Sequence, residues 1–170
     1  MIAVWPGHGW KTPGQRDPGA RSALGPSEAD WTARLGRRLA VALEARGPVL
    51  LLEAGSYSDR AALADGAGSQ LVLHLHGDVG PARIYHYPGS AEGQRLARLM
   101  AAALGPVLGE LPVTPATVGG YPRANGLLAR TRAPAVLLEL VDQRGIEALQ
   151  LLLERLDQVA VAIAGALAPR

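Results

Sequence analysis

Four short, almost wholly apolar runs divide this chain, and helical stretches separate them. Residues 2–5, 49–52, 71–76 and 135–140 are too short for buried helices and read as buried strands. Between the first two, Ser27 stands as an N-cap with Asp30 three positions on, the spacing of a capping box. Trp31, Leu35, Leu39 and Leu43 then recur four apart, predicting an amphipathic helix that ends at Gly47. A short helix is predicted over 59–65, and Ser90 opens another carrying Leu96, Leu99, Met100 and Leu104. Ile146, Leu149, Leu153, Leu156, Ala160, Ile163 and Leu167 mark one closing helix. Residues 82–87 read as a short strand near a sheet edge. Stretches 6–26 and 112–126, crowded with Gly and Pro, read as loops. Strands alternating with helices predict an α/β fold. The expected architecture is a single domain over 1–170: a mixed, mostly parallel β-sheet flanked by helices, of the phosphorylase/hydrolase kind.

Composition narrows what such a fold can do. The 170 residues, 48% of them hydrophobic, supply the core of one domain and leave no room for a second. Cysteine is absent, so any metal site must be built from carboxylates and the four histidines. No basic segment precedes the first apolar run, which breaks at Pro6, so no signal peptide is read. The longest apolar stretch, near 159–168, is too short to span a bilayer. The expectation is a chain made in the cytoplasm without stable membrane insertion. A formal net charge of +2 gives mild attraction to anionic surfaces such as cell wall and no nucleic-acid footprint.

Four positions carry chemistry. His8 sits in Pro6-Gly7-His8-Gly9, directly after the first run. Flanking glycines free the backbone for an unusual conformation, and an imidazole at the mouth of a strand suits metal binding or catalysis. A lone histidine is as readily structural. Glu28 lies in the first turn of the Ser27-capped helix, three positions before Trp31 and so near its inward face. The helix N-terminus favours its anion by about 0.3–1 kcal/mol, so an ordinary first-turn Glu is the alternative. His74, His76 and Asp78 share one face of the third strand, opposite Leu73 and Leu75. Open α/β sheets bind ligands at such C-terminal strand ends, although a surface pair of histidines would look the same. Glu139 interrupts the fourth run. A buried carboxylate must be paired, hydrogen-bonded or close to a metal. It is therefore either catalytic or bridged to an arginine such as Arg130 or Arg132.

In order, these residues resemble the zinc-dependent N-acetylmuramoyl-L-alanine amidases of the amidase-3 type, which cleave bacterial peptidoglycan. Trp5-Pro6-Gly7-His8-Gly9 is similar to the family's opening Asp-Pro-Gly-His-Gly, and Asp17-Pro18-Gly19-Ala20 to its Asp-x-Gly-Ala. Ser27-Glu28 heads the helix where the family carries a ligand Glu. Arg60 through Ala64-Asp65 resembles Arg-x-x-x-Ala-Asn, and counting on without a gap sets His76 on the family's Ser-Ile-His ligand and His74 on its Ser. Pro134-Ala135-Val136-Leu137-Leu138-Glu139 is similar to Pro-Ala-Val-Leu-Val-Glu. The chain departs from the family at Trp5, which replaces an Asp able to orient a ligand imidazole. It departs again at Gly77-Asp78 in place of Ala-Asn, and at Leu140-Val141 in place of Gly-Phe.

The resemblance implies one Zn2+ per chain on His8, Glu28 and His76, with Glu139 as general base and then general acid. It implies hydrolysis of the amide between the lactyl group of N-acetylmuramic acid and L-alanine, by a monomer whose partner is peptidoglycan. His74, Asp78 and His86 become candidates for contacting substrate, and Arg123 and Arg130 for holding stem-peptide carboxylates. Two settings stay open, a phage endolysin released through a membrane lesion and a bacterial enzyme whose leader precedes this stretch. A zinc carboxypeptidase on a similar scaffold and a non-catalytic wall-binding domain are the rival readings.

Overall fold

The structure, a computed structural model, describes residues 1–22, 24–116 and 126–167, apart from the side chain of Asp78. Its strands are β1 (Ile2–Pro6), β2 (Gly9–Thr12), β3 (Gln15–Asp17), β4 (Val49–Leu51), β5 (Leu71–Asp78), β6 (Arg83–His86), β7 (Val113–Pro115) and β8 (Ala135–Asp142). Its helices are α1 (Glu28–Glu44), α2 (Tyr57–Gly66), α3 (Ala91–Leu108), α4 (Ile146–Glu154) and α5 (Leu156–Ala166). Six strands form one sheet in the order β4-β1-β5-β8-β6-β7. Every neighbouring pair is parallel except β6 with β8. This is the mixed, mostly parallel sheet expected from the alternation.

The four apolar runs are continuous because both faces of the sheet are covered. Val4, Leu71, Leu73, Leu75, Val136 and Leu138 pack on one face against the stripes of α1, α3 and α5. Ala3, Trp5, Val72 and Leu137 pack on the other with Ala61 and Ala64 of α2. The Ser27 capping box forms: Asp30 Oδ2 accepts from Ser27 N at 2.9 Å and from its Oγ at 2.6 Å. That box fixes where α1 begins, and hence where Glu28 stands. No helix among the described residues is long and apolar enough to cross a membrane.

Three elements differ from expectation. A small β2–β3 hairpin occupies part of the stretch read as loop. β7, three residues ending in Pro115, pairs outside β6. β6 is therefore the penultimate strand, near the sheet edge as expected, and the proline is tolerated because β7 is the edge strand. The closing helix is two helices, broken at Arg155 (φ −112°, ψ 17°). Arg155 Nη1 there donates to the Val107 carbonyl at 2.8 Å. Leu152 and Leu156 are both buried across the break, so the apolar stripe runs through it and periodicity alone does not register it.

Candidate metal centre

The site forms where β1 and β5 end side by side and α1 begins. β1 leads through Gly7, whose N–H donates to the Leu75 carbonyl at 2.7 Å, into His8. His8 has φ 59°, a left-handed conformation that a non-glycine residue adopts only when its surroundings hold it there. Arg60 does much of the holding. Its guanidinium donates to the carbonyls of Pro6 (2.8 Å), His8 (2.6 Å), Gly55 (2.9 Å) and Glu53 (3.3 Å). Thr32 Oγ1 adds a bond to the Gly7 carbonyl at 3.0 Å.

Glu28 lies between two imidazoles. Its Oε1 is 2.9 Å from His76 Nδ1 and its Oε2 is 3.2 Å from His8 Nε2. The same oxygens accept from Gly77 N at 3.2 Å and Ala20 N at 3.1 Å. Asp17 Oδ2 lies 3.1 Å from His8 Nδ1, the acceptor that a ligand imidazole uses to fix its ring. β1 itself offers no acidic residue beside His8, since Trp5 stands there, and the acceptor comes from the Asp17-Pro18-Gly19-Ala20 stretch.

These contacts set the protonation states. Burial opposes a charge on Glu28, but hydrogen bonds from His76 and His8 outweigh it and draw its pKa down to about 2. Burial likewise disfavours the His8 imidazolium, yet Glu28 and Asp17 raise its pKa to about 8. Burial would raise Asp17, and the Gly19 N–H, His8 and Lys11 overcome it and hold it well below the usual carboxylate range. In the metal-free protein, His8 therefore contributes stability that is full below about 6.5 and lost as pH rises through about 8. Glu28 contributes above 4.5 and loses its contribution as pH falls towards about 2.

Two imidazoles and a carboxylate are a donor set for a divalent ion. One donor atom from each of His8, Glu28 and His76 lies within 4.8 Å of the others. His76 Nε2 is buried without a hydrogen-bond partner among the described residues, so the set fits an ion. A metal ion must displace the His8 proton. Zinc titration should show apparent affinity falling about tenfold per pH unit below pH 8, because one proton competes. Affinity that stays flat between pH 6 and 8 would contradict that shared proton.

The packing leaves little slack. A Cβ on Gly19 (φ +66°) would lie 2.6 Å from His8 Cδ2 and 2.7 Å from Glu28 Oε2. Gly19→Ala should carry about 1–2 kcal/mol of backbone strain and displace both side chains. Metal affinity is expected to drop by roughly 10–100-fold, read by zinc titration beside a thermal melt. Wild-type affinity would show that the site can shift at little cost.

The set opens into a cleft of about 630 Å³, whose walls include Tyr57, Arg130, Leu137 and Glu139. Glu139 is paired in register with His76 across β5 and β8 and is only 7% exposed. The apolar run thus carries one acid to the level of the metal donors.

Other sequence candidates fall elsewhere. His74 is not on the cleft: it is fully buried, with its ring centroid 4.5 Å from that of Trp5. Burial, with His76 and Arg60 nearby, pushes its pKa down to about 3. His86 is also buried, with Nδ1 3.1 Å from the Tyr87 carbonyl, on the strand face that it shares with Ile84 and on which α3 packs. Neither is among the residues that line the cleft. Arg123 and the Asp78 side chain lie outside the described residues. Reasoning from sequence missed Asp17 and Arg60 as supports and Tyr57 as a wall. The first two lay inside recognised motifs, while nothing in the local pattern singled out Tyr57.

A mostly parallel sheet with this donor set and a buried acid at its strand ends places the chain among hydrolases. Its residues 2–168 match the Amidase_3 family, N-acetylmuramoyl-L-alanine amidase, and the chain belongs to that family. It is an amidase. Comparison with curated proteins gave no significant match. Among solved structures, the N-acetylmuramoyl-L-alanine amidase from Clostridium difficile 630 superposes with TM-score 0.77 at 18% identity, covering 97% of this chain and 92% of that one. AmiC2 of Nostoc punctiforme gives 0.75 at 22%, covering 97% and 93%. The catalytic domain of the CD27L endolysin targeting Clostridia difficile gives 0.75 at 16%, covering 97% and 94%. The shared fold is the one described above.

Proposed function

We propose that His8, Glu28 and His76 hold one zinc ion and that Glu139 carries the proton in hydrolysis of peptidoglycan. The bond cut joins the lactyl group of N-acetylmuramic acid to L-alanine. The observation that carries this reading is Glu28, anionic and bridged between two imidazoles, in the same cleft as Glu139. Three protein donors are the pattern of a catalytic zinc site with a position left open. Zinc held there supplies Lewis acidity to the scissile carbonyl and acidifies water towards neutral pH.

The chain's own groups do the rest. Asp17 and Arg60 fix the His8 ring and backbone. The Gly77 and Ala20 N–H groups hold the Glu28 carboxylate between the two imidazoles. Glu139 accepts a proton from the attacking water and delivers it to the departing alanine nitrogen, which leaves as a neutral amine.

The enzyme is expected to act on the cell wall as a monomer, and the likeness to an endolysin catalytic domain supports a lytic setting. Mass spectrometry of digested peptidoglycan, with and without chelator, tests the reading. New amino-terminal L-alanine that disappears with chelator supports it. Release of single C-terminal residues would instead make the chain a carboxypeptidase. Wall pelleting without loss of turbidity would make it a binding domain.

A further inference from the structure

Arg130 is the arginine among the described residues that lines the cleft, and it is not one of the surface arginines held in an ion pair. Arg16, Arg37, Arg38, Arg95 and Arg144 each pair with a carboxylate. Among the described residues Arg130 contacts no acid; its Nη1 lies 3.5 Å from Ser58 Oγ. Its guanidinium carbon sits 5.9 Å from the centre of the Tyr57 ring. Tyr57 is fixed in turn, as the first residue of α2 behind the Ser56 cap, with its ring 6.0 Å from that of Trp5. Arg130 and Tyr57 line the same cleft as His8, Glu28, His76 and Glu139.

Three carboxylates, Asp17, Glu28 and Glu139, line that cleft together with His8 and His76. Arg130 brings a positive charge to the same cleft, on an aromatic platform that restrains the side chain. A guanidinium so restrained has N–H edges that suit a planar, bidentate carboxylate. On the leaving side of the scissile amide, the stem peptide carries such a group on the residue after L-alanine. That γ-linked residue bears an α-carboxyl that is either free or amidated.

We infer that Arg130, seated on Tyr57, is a specificity-determining residue that takes this free α-carboxylate and so favours acidic stem peptides over amidated ones. A carboxamide offers one acceptor and one donor, leaving part of the guanidinium facing an N–H. Sites built to pair a polar group reject analogues that cannot complete the pairing. The inference rests on the reading of the chain as a peptidoglycan amidase.

The test uses two disaccharide–tripeptide fragments that differ only in that group, α-carboxylate or α-carboxamide. Wild-type protein is expected to show kcat/KM about 10–100-fold higher on the acid, the range of one charge-assisted hydrogen bond. In Arg130→Gln the acid-to-amide ratio should collapse towards one, and in Arg130→Lys it should be intermediate, because the charge stays and the fork is lost. Arg130 is exposed, so zinc content and melting should report folded protein. A wild-type ratio of one, or a ratio unaltered in Arg130→Gln, would overturn the subsite alone. If no fragment, nor whole peptidoglycan, yields amino-terminal L-alanine, the proposed function falls and this inference with it.

Discussion

Glu139→Gln is expected to lower kcat on purified peptidoglycan by about 10²–10⁴-fold, the range a positioned proton carrier contributes. That corresponds to roughly 3–5 kcal/mol of barrier. Glutamine keeps the volume and length of the side chain at a position only 7% exposed, so packing against β5 and β6 should survive. It cannot take a proton from water or return one to nitrogen. Zinc stoichiometry should stay at one per chain, since the donors His8, Glu28 and His76 are untouched. The melting temperature should stay close to that of the wild type, because glutamine keeps the shape of the side chain and can still hydrogen-bond. Initial rates and metal analysis on one preparation check this. Full activity would remove Glu139 from the mechanism, and loss of zinc would make it part of the metal site.

How far the sequence could be read follows from the range of each interaction. The sheet was legible because its central strands are buried on both faces and so spell unbroken apolar runs. The donors were legible because each sits at a punctuation mark: His8 beyond Pro6, Glu28 behind the Ser27 cap, His76 at the end of β5. The choice between His74 and His76 was not decidable from alternation, since both face the same side of the strand. It is geometry that separates them, for His74 lies deeper under Trp5 while His76 reaches Glu28. The burial of His86 was not legible, because the packing of α3 on its face of β6 is a long-range contact that the local pattern does not carry. Arg60 could not be understood before folding. Its acceptors are backbone carbonyls from Pro6, His8, Glu53 and Gly55, a set that no side-chain pattern encodes.

Glu28→Ala should produce a different failure from Glu139→Gln, although both remove a buried acid from one cleft. Glu28 accepts from two imidazoles and two backbone N–H groups. Without it, His8 and His76 lose the anion they share, and the N–H groups of Ala20 and Gly77 lose their acceptor. Two unmet donors cost about 2–4 kcal/mol together, a fall in Tm of roughly 4–16 °C for a domain of this size. Metal affinity should drop by more than the roughly 10–100-fold that follows loss of an outer partner, because a donor itself is gone. The His8 pKa should also move down from about 8, since Glu28 is one of the two carboxylates that raise it. Glu28→Gln separates the two effects: its single carbonyl oxygen cannot serve both imidazoles, so zinc is lost while much of the packing is kept. Calorimetric zinc titration and melting curves on the metal-free proteins read all three quantities. A Glu28→Ala protein that binds zinc and melts like wild type would mean that this bridge between the histidines does not organise the site. A protein that loses zinc, stability and activity together, beside a Glu139→Gln protein that loses activity alone, would assign one acid to holding the ion and the other to moving the proton.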